Sequence, residues 1–537
     1  MANLNPAEFE SIVAGARAAP GSAGTIVVPL AVRLIADQLT PTIAYRRLVA
    51  PDDRAAPSFL LESVEGGERQ GRYSILGARP REVFLAKEGH ATHRMLREPG
   101  ASRTAPCEDP FEMLRGFARA RRLVSAPGTP GCVLGGLFGY AAYDSVRYAH
   151  PGKLPWTSAP PDDLRLPDIC FAYYDSLVVF DHAERSVYVI ALAETGPGRA
   201  ATGAYREAMA RLDSVVGLLD VHSEPLRTGR MPAIGTPGAT TSNLTRAQHA
   251  AMVDRALGYI RAGDVFQVVL GQRFERTSTV DPFDVYRALR CVNPSPYMVY
   301  MQCEGCVLVA SSPEILCRVR RSGGGLEVTN RPLAGTRRRG KTALEDEALE
   351  RELLADPKER AEHIMLVDLG RNDVGVVAHP GTISLPAVME VERYSHVMHI
   401  SSTVTGTLRE GLDCWDALRA ALPVGTISGA PKLRAMQVID ELEPVRRGPY
   451  GGGIGYVGLD GQMDVALTLR TMVVPLARVA QGPDGATRWT YLLQASGGIV
   501  ADSDVEAEYQ ETVNKAAGLG RAIDVAEAAF CPNKAQP

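Results

Sequence analysis

Residues 176–192 read SLVVFDHAERSVYVIAL, two runs of β-branched and aromatic residues on either side of the polar segment from His182 to Arg185. Such runs favour strands, and the polar segment between them predicts the turn of a hairpin. Residues 25–190 repeat this pattern, with apolar runs separated by Gly/Pro loops and few long helical patterns. The amino-terminal half is therefore predicted to be mostly sheet.

The stretch from 221 to 243, VHSEPLRTGRMPAIGTPGATTSN, is rich in Pro, Gly, Ser and Thr and has little apolar content, which predicts a linker. Thr245 and Gln248 directly after it have the spacing of a capping box, and Ser503 and Glu506 repeat that spacing near the end of the chain. Both pairs predict helix starts. We therefore divide the chain into five segments, residues 1–24, 25–220, 221–243, 244–524 and 525–537.

The carboxy-terminal half contains several apolar strand runs for each helical run, so many connections are not simple strand-helix-strand crossovers. This order favours mixed or antiparallel sheets over a Rossmann or TIM arrangement. The predicted fold class is α+β, with two large mixed or antiparallel sheets packed together and helices outside them.

Composition restricts the possible partners. The 537 residues carry a formal charge of −4 with interspersed signs, so neither nucleic acid nor a membrane surface is an expected partner. The amino terminus lacks a basic segment followed by an apolar run, and the nine scattered cysteines are typical of reduced thiols. We expect a cytoplasmic protein that acts on a small molecule.

Two pairs of carboxylates share one spacing. Glu359 and Glu362, in ERAEHIMLVDLGRND, lie three residues apart after a predicted helix start, and Glu508 and Glu511 repeat this in SDVEAEYQETVNK. Residues at this spacing share a helical face. Four carboxylates on two helices could converge on one hard cation, so the pairs predict a magnesium site.

Each pair also has a structural interpretation. Asp356 is a typical N-cap, and Glu359 then fits the third position of a capping box. Glu362 lies one turn deeper, where a metal ligand and a solvated carboxylate are equally compatible with the pattern. Glu511 fits an ion pair with Lys515, four residues further on.

Three glycine-containing segments could bring a ligand close to backbone donors. Residues 425–436, GTISGAPKLRAM, form a small-residue loop before a helix, with Ser428 available as its cap, and helix N-termini attract anions. Residues 451–456 and 496–498 lack side chains that would block such an approach. Taken alone, segments such as 451–456 and 496–498 are more often a bulge or a turn than a ligand site.

Arg470, Glu314 and His399 are polar residues on or beside apolar strands. The charge of Arg470 needs a partner, which could be a ligand carboxylate or a protein carboxylate. Glu314 and His399 are candidates for proton transfer, because burial can move the pKa of either group toward neutrality.

Taken together, ordered blocks along nearly the whole chain resemble the chorismate-binding enzymes, and within them the anthranilate synthase component I family. The blocks are LLESVEGGERQGRYSILG (60–77), AGDVFQVVLGQR (262–273), NPSPYMVYM (293–301), SSPEIL (311–316), RPLAGTRRRG (331–340), ERAEHIMLVDLGRND (359–373), GTISGAPK (425–432), GGGIGY (451–456) and QASGGIVADSDVEAEYQET (494–512). The resemblance implies a regulatory region over 25–220 and a catalytic domain over 244–524.

By this resemblance the substrate is chorismate, bound through Mg²⁺ that Glu362 and Glu511 hold, with Glu359 and Glu508 acting directly or through water. Glu314 would protonate the departing hydroxyl as ammonia adds, and His399 would assist the later loss of pyruvate. The remaining substrate oxygens would contact Gly335, Thr336, Thr426, Tyr456, Arg470, Ser496, Gly497 and Gly498, with Thr426 closest to the chemistry.

Two positions distinguish the subfamilies. Aminodeoxychorismate synthases typically carry Lys where this chain has Ala334, and isochorismate synthases typically carry Lys where it has Gln267. Both differences favour ammonia as nucleophile. Cys132 lacks the surroundings of an amidotransferase nucleophile, so a glutamine amidotransferase subunit, component II, is the implied partner in a heterotetramer.

The resemblance also implies feedback inhibition by L-tryptophan. The family's feedback motifs correspond here to Leu61, Glu62, Ser63, Pro296, Tyr297 and Met298, which alone would read as a strand end and a Pro-rich turn. The alternatives are an enzyme that makes aminodeoxychorismate or stops at 2-amino-2-deoxyisochorismate, and a catalytically dead regulatory subunit that binds tryptophan.

Overall fold

The computed structural model describes residues 2–19, 24–51, 53–65, 69–98, 100–196, 198–221, 226–232, 237–394 and 397–531. Its α-helices are α1 (Pro6–Ala18), α2 (Pro41–Leu48), α3 (Pro110–Arg119), α4 (Val146–Ala149), α5 (Ala201–Asp220), α6 (Arg246–Arg261), α7 (Pro282–Val292), α8 (Ala343–Ala355), α9 (Pro357–Val377), α10 (Cys414–Ala421), α11 (Gly425–Ser428), α12 (Lys432–Leu442) and α13 (Val505–Phe530). Short 3₁₀ turns lie at Tyr143–Ser145, Trp156–Ser158 and Leu476–Arg478.

The strands of the first half are β1 (Thr25–Leu34), β2 (Ser58–Glu62), β3 (Val64–Glu65), β4 (Arg69–Gln70), β5 (Tyr73–Ala78), β6 (Glu82–Lys87), β7 (His90–Met95), β8 (Ser102–Pro106), β9 (Arg121–Leu123), β10 (Gly136–Ala141), β11 (Ile169–Tyr174), β12 (Ser176–Asp181), β13 (Ser186–Thr195) and β14 (Thr241–Ser242). Those of the second half are β15 (Gln267–Ser278), β16 (Tyr297–Cys303), β17 (Cys306–Ser312), β18 (Ile315–Ser322), β19 (Gly325–Arg331), β20 (Leu333–Arg338), β21 (Ser384–Arg393), β22 (Val397–Thr407), β23 (Gly429–Ala430), β24 (Gly453–Gly458), β25 (Met463–Leu467), β26 (Thr471–Pro475), β27 (Ala480–Gln481) and β28 (Thr487–Ile499).

Two large sheets dominate the described part of the chain. The larger sheet runs β14-β15-β28-β26-β17-β16-β2-β5-β12-β13-β1-β9, and the smaller runs β20-β22-β19-β18-β25-β24-β10-β11-β6-β7-β8 with β21 beside β22. Nearly all neighbours are antiparallel, with β1 and β9 a parallel exception. The predicted α+β class with two large packed sheets is confirmed, and β12 and β13 form the predicted hairpin.

The core between the sheets is aromatic. Phe59 of the larger sheet stacks on Phe138 of the smaller one, with ring centroids 4.1 Å apart, and Tyr174 packs edge-on against both rings. Side chains of α1, α2, α5, α7 and α13 bury the other face of the larger sheet, and those of α3 and α10 pack on the smaller sheet. Aromatic packing of this kind buries the most apolar area per residue.

Both sheets contain strands from both halves of the chain, so the boundary at 221–243 separates the sequence but not the sheets. Pairings such as β2 with β16 and β10 with β24 join the halves. Residues 222–225 and 233–236 of the predicted linker lie outside the described ranges, as do 532–537 of the last segment. The five-segment division stays a prediction.

Helix starts test the capping predictions. Thr245 caps α6 in a reciprocal box with Gln248, as predicted. Asp356 caps α9, although Glu359 does not complete the box. The prediction for the last helix was wrong, because Asp504 rather than Ser503 caps α13.

Ser428 does not cap the helix that follows it. Its hydroxyl donates instead to the Val424 carbonyl oxygen, 2.8 Å away, and so closes the short helix α11. Pro431 precedes α12 without a side-chain cap. Among the helices of the described ranges, none combines the length and the hydropathy that crossing a bilayer requires.

Candidate active site

Glu314 and Arg470 are brought together where β17 and β25 end. The backbone N–H of Ser311 donates to the Arg470 carbonyl at 3.1 Å, and that of Leu467 donates to the Glu314 carbonyl at 3.0 Å. Thr426, on α11, donates its hydroxyl to Glu314 Oε1 at 3.2 Å. Three separate segments of chain therefore meet at the Glu314 carboxyl group.

Glu314 is 4% exposed, and burial raises the pKa of its carboxyl group to about 8. The Thr426 hydroxyl, the backbone and the Arg470 charge oppose this shift without cancelling it. A carboxyl group with this pKa is mostly protonated at neutral pH, so it can donate a proton.

Arg470 has a left-handed backbone with φ of 46°, and burial lowers the pKa of its guanidinium. Within the described residues, no carboxylate lies at ion-pair distance from it. A protein carboxylate was one of the two partners that the sequence left open. Because the described chain does not provide that partner, an anionic ligand group fits the guanidinium best.

His399, on β22, is held by β20. Its Nδ1 lies 2.9 Å from the Gly335 carbonyl oxygen and 3.1 Å from Thr336 Oγ1, while its Nε2 is buried without a hydrogen bond in the described chain. Burial and the nearby Arg470 charge lower the pKa of His399 to about 4. With Nδ1–H donating to the carbonyl, neutral His399 presents Nε2 as a proton acceptor.

The four predicted metal ligands lie on two neighbouring helices. Burial raises the pKa of Glu362, and the charges of Glu359 and Glu511 raise it further, so carboxylates from α9 and α13 face one another. Burial also raises the pKa of Glu508, whose Oε1 accepts from Ser503 at 2.7 Å. The Oε2 atom of Glu508 is buried without a described partner.

Protein cations neutralise part of this group. Arg337 Nη1 lies 2.9 Å from Glu359 Oε1, and Lys515 Nζ lies 2.6 Å from Glu511 Oε1. No three His, Cys, Asp or Glu side chains in the described ranges are arranged to hold a metal ion as they stand. The all-oxygen donor set, the repulsion at Glu362 and the unpaired Glu508 oxygen nevertheless fit a hard divalent cation once these ion pairs open.

Ser496, Gly497 and Gly498 belong to β28, beside the glutamates. The Ser496 carbonyl accepts from Lys515 Nζ at 2.9 Å. A Cβ atom on Gly497 would lie 2.9 Å from Glu508 Oε2, and one on Gly498 would lie 2.6 Å from Gln267 Nε2. A Cβ atom at either glycine would push the end of the neighbouring side chain away, and the backbone of β28 forms one wall of the cleft.

Sequence reasoning missed two residues of this wall. Tyr450 donates its hydroxyl to Ser496 Oγ at 3.0 Å, and Lys515 connects β28 with Glu511. The glycine run that follows Tyr450 was a signal for the first. For the second, the spacing to Glu511 indicated an ion pair but not a site residue.

Tyr456 lies apart from the group around Arg470. Its ring packs 5.4 Å from that of Phe138, and Asp464 is its neighbour on β25. Asp464 accepts from the Tyr297 hydroxyl at 2.7 Å and pairs with Arg318 at 2.9 Å. The structure therefore puts Tyr456 beside a predicted feedback residue rather than with the other predicted substrate contacts.

The predicted feedback residues meet where β2 and β16 pair. Glu62 lies opposite Met298, and it accepts from the Tyr286 hydroxyl at 2.7 Å and pairs with Arg290 at 2.8 Å. Leu61 is the preceding residue of β2 and Ser63 follows the strand, while Pro296 precedes β16 and Tyr297 begins it. All six residues thus lie at one junction, which we call the β2–β16 junction.

Comparisons with known proteins agree along the chain. The family described as chorismate binding enzyme matches residues 57–521. The chain is 49% identical over 535 residues to anthranilate synthase alpha subunit 1, chloroplastic, of Arabidopsis thaliana, covering 95% of this chain and 88% of that protein. It is 46% identical over 503 residues to anthranilate synthase component 1 of Thermus thermophilus, covering 92% and 97%.

A solved structure agrees with the fold. The crystal structure of anthranilate synthase component I from Streptococcus pneumoniae superposes with a TM-score of 0.70 at 33% sequence identity. The match covers 91% of this chain and 99% of that one.

Proposed function

This chain belongs to the chorismate-binding enzyme family, and we propose that it acts as component I of an anthranilate synthase, a lyase that forms anthranilate and pyruvate from chorismate and ammonia. The named relatives support this assignment, because each match covers most of the relative's length and most of this chain. The observation that carries it is the buried Glu314, whose pKa is raised, near Arg470, which has no carboxylate at ion-pair distance among the described residues.

Arg470 fits a substrate carboxylate. Chorismate carries two carboxylates, and a buried guanidinium with no counter-ion in the described part of the chain would bind one of them through charge-assisted hydrogen bonds. The backbone at Ser496 to Gly498, and Tyr450 behind it, would bound the ring on another side. Orienting the ring in this way brings the departing hydroxyl toward a fixed proton donor.

Glu314 is the proposed proton donor. At neutral pH its carboxyl group is mostly protonated, and Thr426 holds Oε1. Neutral His399, with Nε2 free to accept, is the proposed base in the later loss of pyruvate. The two residues have opposite protonation tendencies, which is what an elimination with one acid step and one base step requires.

Glu362 and Glu511, with Glu359 and Glu508 beside them, would hold Mg²⁺. When bound, this cation would neutralise the ring carboxylate and polarise the ring. The chain's own contribution is to hold these carboxylates close together on α9 and α13, with Arg337 and Lys515 balancing part of their charge.

Ammonia is the proposed nucleophile. Ala334 provides no amine for attack on chorismate, and Gln267 provides no base to activate water. Ammonia would come from a glutamine amidotransferase partner, component II, in a heterotetramer, and free ammonium would replace it for the isolated chain. Cytoplasmic location stays a prediction, since the Arabidopsis relative is named chloroplastic.

L-tryptophan is the proposed feedback inhibitor, bound at the β2–β16 junction. Glu62 and Asp464 provide carboxylates that could meet an ammonium group, and Met298 and Tyr456 provide apolar surface. Because strands of both halves meet here, a ligand at the junction would bias how the two sheets pack.

The experiment is a fluorescence assay for anthranilate with chorismate, Mg²⁺ and ammonium, run with and without L-tryptophan. We expect anthranilate formation that requires Mg²⁺ and falls when tryptophan is added. A non-fluorescent amino product would favour the aminodeoxychorismate or 2-amino-2-deoxyisochorismate alternative. Tryptophan binding without turnover would instead identify a regulatory subunit and contradict the proposal.

The metal assignment needs a measurement that does not depend on activity. Titration calorimetry with Mg²⁺ should show binding to the wild type that Glu362→Gln weakens strongly. Glu347→Gln, which changes an exposed glutamate on the neighbouring helix α8, is the matched control and should bind as the wild type does. Equal binding by Glu362→Gln and the wild type would refute the assignment.

A further inference from the structure

A cavity separate from the candidate active site lies between α5 and the outer face of the larger sheet. Its volume is about 420 Å³, and β5, β12 and α2 complete its walls. Its apolar lining includes Leu48, Leu76, Val178, Val215 and Leu218. None of the residues assigned to the cleft or to the β2–β16 junction lines it. The proposed function therefore leaves this cavity without a role.

The mouth of the cavity is positively charged. Arg79, Arg97 and Arg211 line it, and Glu207 provides the carboxylate among the described lining residues. Asp175 forms two hydrogen bonds with Arg97, at 2.7 and 2.8 Å, and also lies 3.6 Å from Arg211 Nε. One carboxylate thus serves two guanidiniums, and Arg79 has no ion pair among the described residues. The mouth has more cationic than anionic groups.

Two polar groups of the wall are unsatisfied. Ser176 Oγ and Arg211 Nε are buried and make no hydrogen bond within the described chain, although Arg211 Nε lies 3.6 Å from the Asp175 carboxylate. Arg211 Nε can only donate, and a serine hydroxyl can donate as well. Buried unpaired donors are uncommon in native proteins and call for an acceptor.

A second feature of the mouth is the strained backbone conformation of Arg79. Its backbone is left-handed, with φ of 53°, a conformation that costs a non-glycine residue free energy. This conformation places an exposed arginine at the mouth of an apolar cavity. A second cavity of about 480 Å³ shares Arg97, Glu207 and Arg211 with the first and continues it into a polar, charged space.

We propose that this cavity binds an amphipathic organic anion, with an aromatic or branched apolar body between α5 and the sheet and a carboxylate at Arg79 and Arg211. The apolar walls fit the body, and the excess of arginine at the mouth fits the head group. A cation would meet three guanidiniums, and a neutral apolar molecule would leave the unpaired donors unsatisfied.

Anilinonaphthalene sulfonate, an aromatic anion that fluoresces in apolar surroundings, is the probe for this cavity. Titrated into the full chain with saturating L-tryptophan present, it should bind at one saturable site. Arg79→Gln should weaken binding by about tenfold, the effect of losing one charge-assisted hydrogen bond. Arg206→Gln, on the same helix α5 but outside the cavity lining, is the matched control and should leave binding unchanged.

Two further measurements separate the parts of the proposal. Ala210→Trp, which enlarges a residue of the cavity wall, should reduce the number of bound probes even if the arginine variant unfolds. Phenylnaphthylamine, a similar probe without the sulfonate, should bind more weakly than the anion. Equal binding of both probes would overturn the anionic class, and binding unaffected by Arg79→Gln and Ala210→Trp would overturn the site.

Discussion

The candidate active-site cleft and the β2–β16 junction both bury charged groups, but they differ in how those groups are paired. At the junction, Glu62 has Arg290 and Tyr286 as partners, and Asp464 is paired in the same way. In the cleft, Arg470 has no carboxylate partner among the described residues, and the buried Glu508 Oε2 and His399 Nε2 atoms make no hydrogen bond there. Both regions contain ion pairs, but within the described residues the cleft also leaves buried polar groups unpaired, and this distinguishes it from the junction.

This difference indicates where the fold stabilises itself and where it provides for a ligand. A buried charge with a partner is costly to break, because its removal leaves the other charge unpaired. A buried charge without a partner is held in place by the surrounding structure and is available to a substrate. Substitutions in the cleft should therefore reduce activity, and substitutions at the junction should reduce stability and regulation.

The largest expected effect is that of Glu314→Gln, which removes the proton donor. The rate of anthranilate formation should fall by about a thousandfold, the usual contribution of a general acid. The free energy of unfolding should not decrease, since an isosteric neutral side chain replaces a carboxyl group that is already mostly protonated. Steady-state fluorescence assays and chemical denaturation measure the two quantities.

The pH profile provides an independent check on Glu314. The protonated form is the active one and its pKa is about 8, so wild-type activity should decline as pH rises through that value. Glu347→Gln should keep the wild-type profile. If Glu314→Gln retained more than a tenth of wild-type turnover, another group would have to supply the proton.

The next effect is that of Arg470→Met, which removes the proposed contact to a substrate carboxylate. KM for chorismate should rise by about a hundredfold, because a buried charge-assisted contact is worth a few kcal/mol. Arg318→Met at the junction is the contrasting variant, since it removes the nearer of the two arginines paired with Asp464 and leaves Arg320 at 3.5 Å. Kinetics and thermal unfolding should show a KM effect for the first and a stability loss for the second.

A smaller effect is expected for Glu62→Gln at the junction. Breaking the pair with Arg290 should lower the free energy of unfolding by about 2 kcal/mol, less than for a fully buried pair because Arg290 is one-third exposed. Inhibition by tryptophan should also weaken, while turnover without tryptophan should stay close to that of the wild type. Unchanged stability together with unchanged inhibition would show that the junction serves neither stability nor regulation, contrary to the proposed difference between the two regions.

Much of the fold could be predicted from local pattern. Runs such as 176–192 identify strands, since alternating and β-branched residues leave little choice of structure. The order of the strands within the sheets could not be predicted in this way, because it depends on segments that are distant in sequence and whose backbones approach closely. At Gly139 a Cβ atom would lie 1.9 Å from the Cys170 carbonyl oxygen, a contact between β10 and β11 that no local pattern reveals.

The candidate site divides in the same way. The spacing within α9 and α13 indicated the glutamates, because helical geometry fixes which residues share a face. The segment around Glu314 gave no such signal, since its burial depends on Thr426 and Arg470, more than a hundred residues away. Tyr450 and Tyr456 flank the same glycine run, so the local sequence does not tell them apart. Their contacts do, because Tyr450 donates to Ser496 in the cleft and Tyr456 packs against Phe138.

The smallest expected effect is that of Thr426→Val, because this change removes one hydroxyl group and keeps the shape of the side chain. Turnover should fall only about fivefold, the usual value of one hydrogen bond near 1 kcal/mol, since Glu314 stays buried but is less well positioned. The hydroxyl favours the ionised form of Glu314, so its loss should raise the pKa of that carboxyl group and shift the alkaline decline of activity to higher pH. Thr426→Ser should restore both quantities, whereas a rate loss without any shift would show that Thr426 contacts the substrate and not the acid.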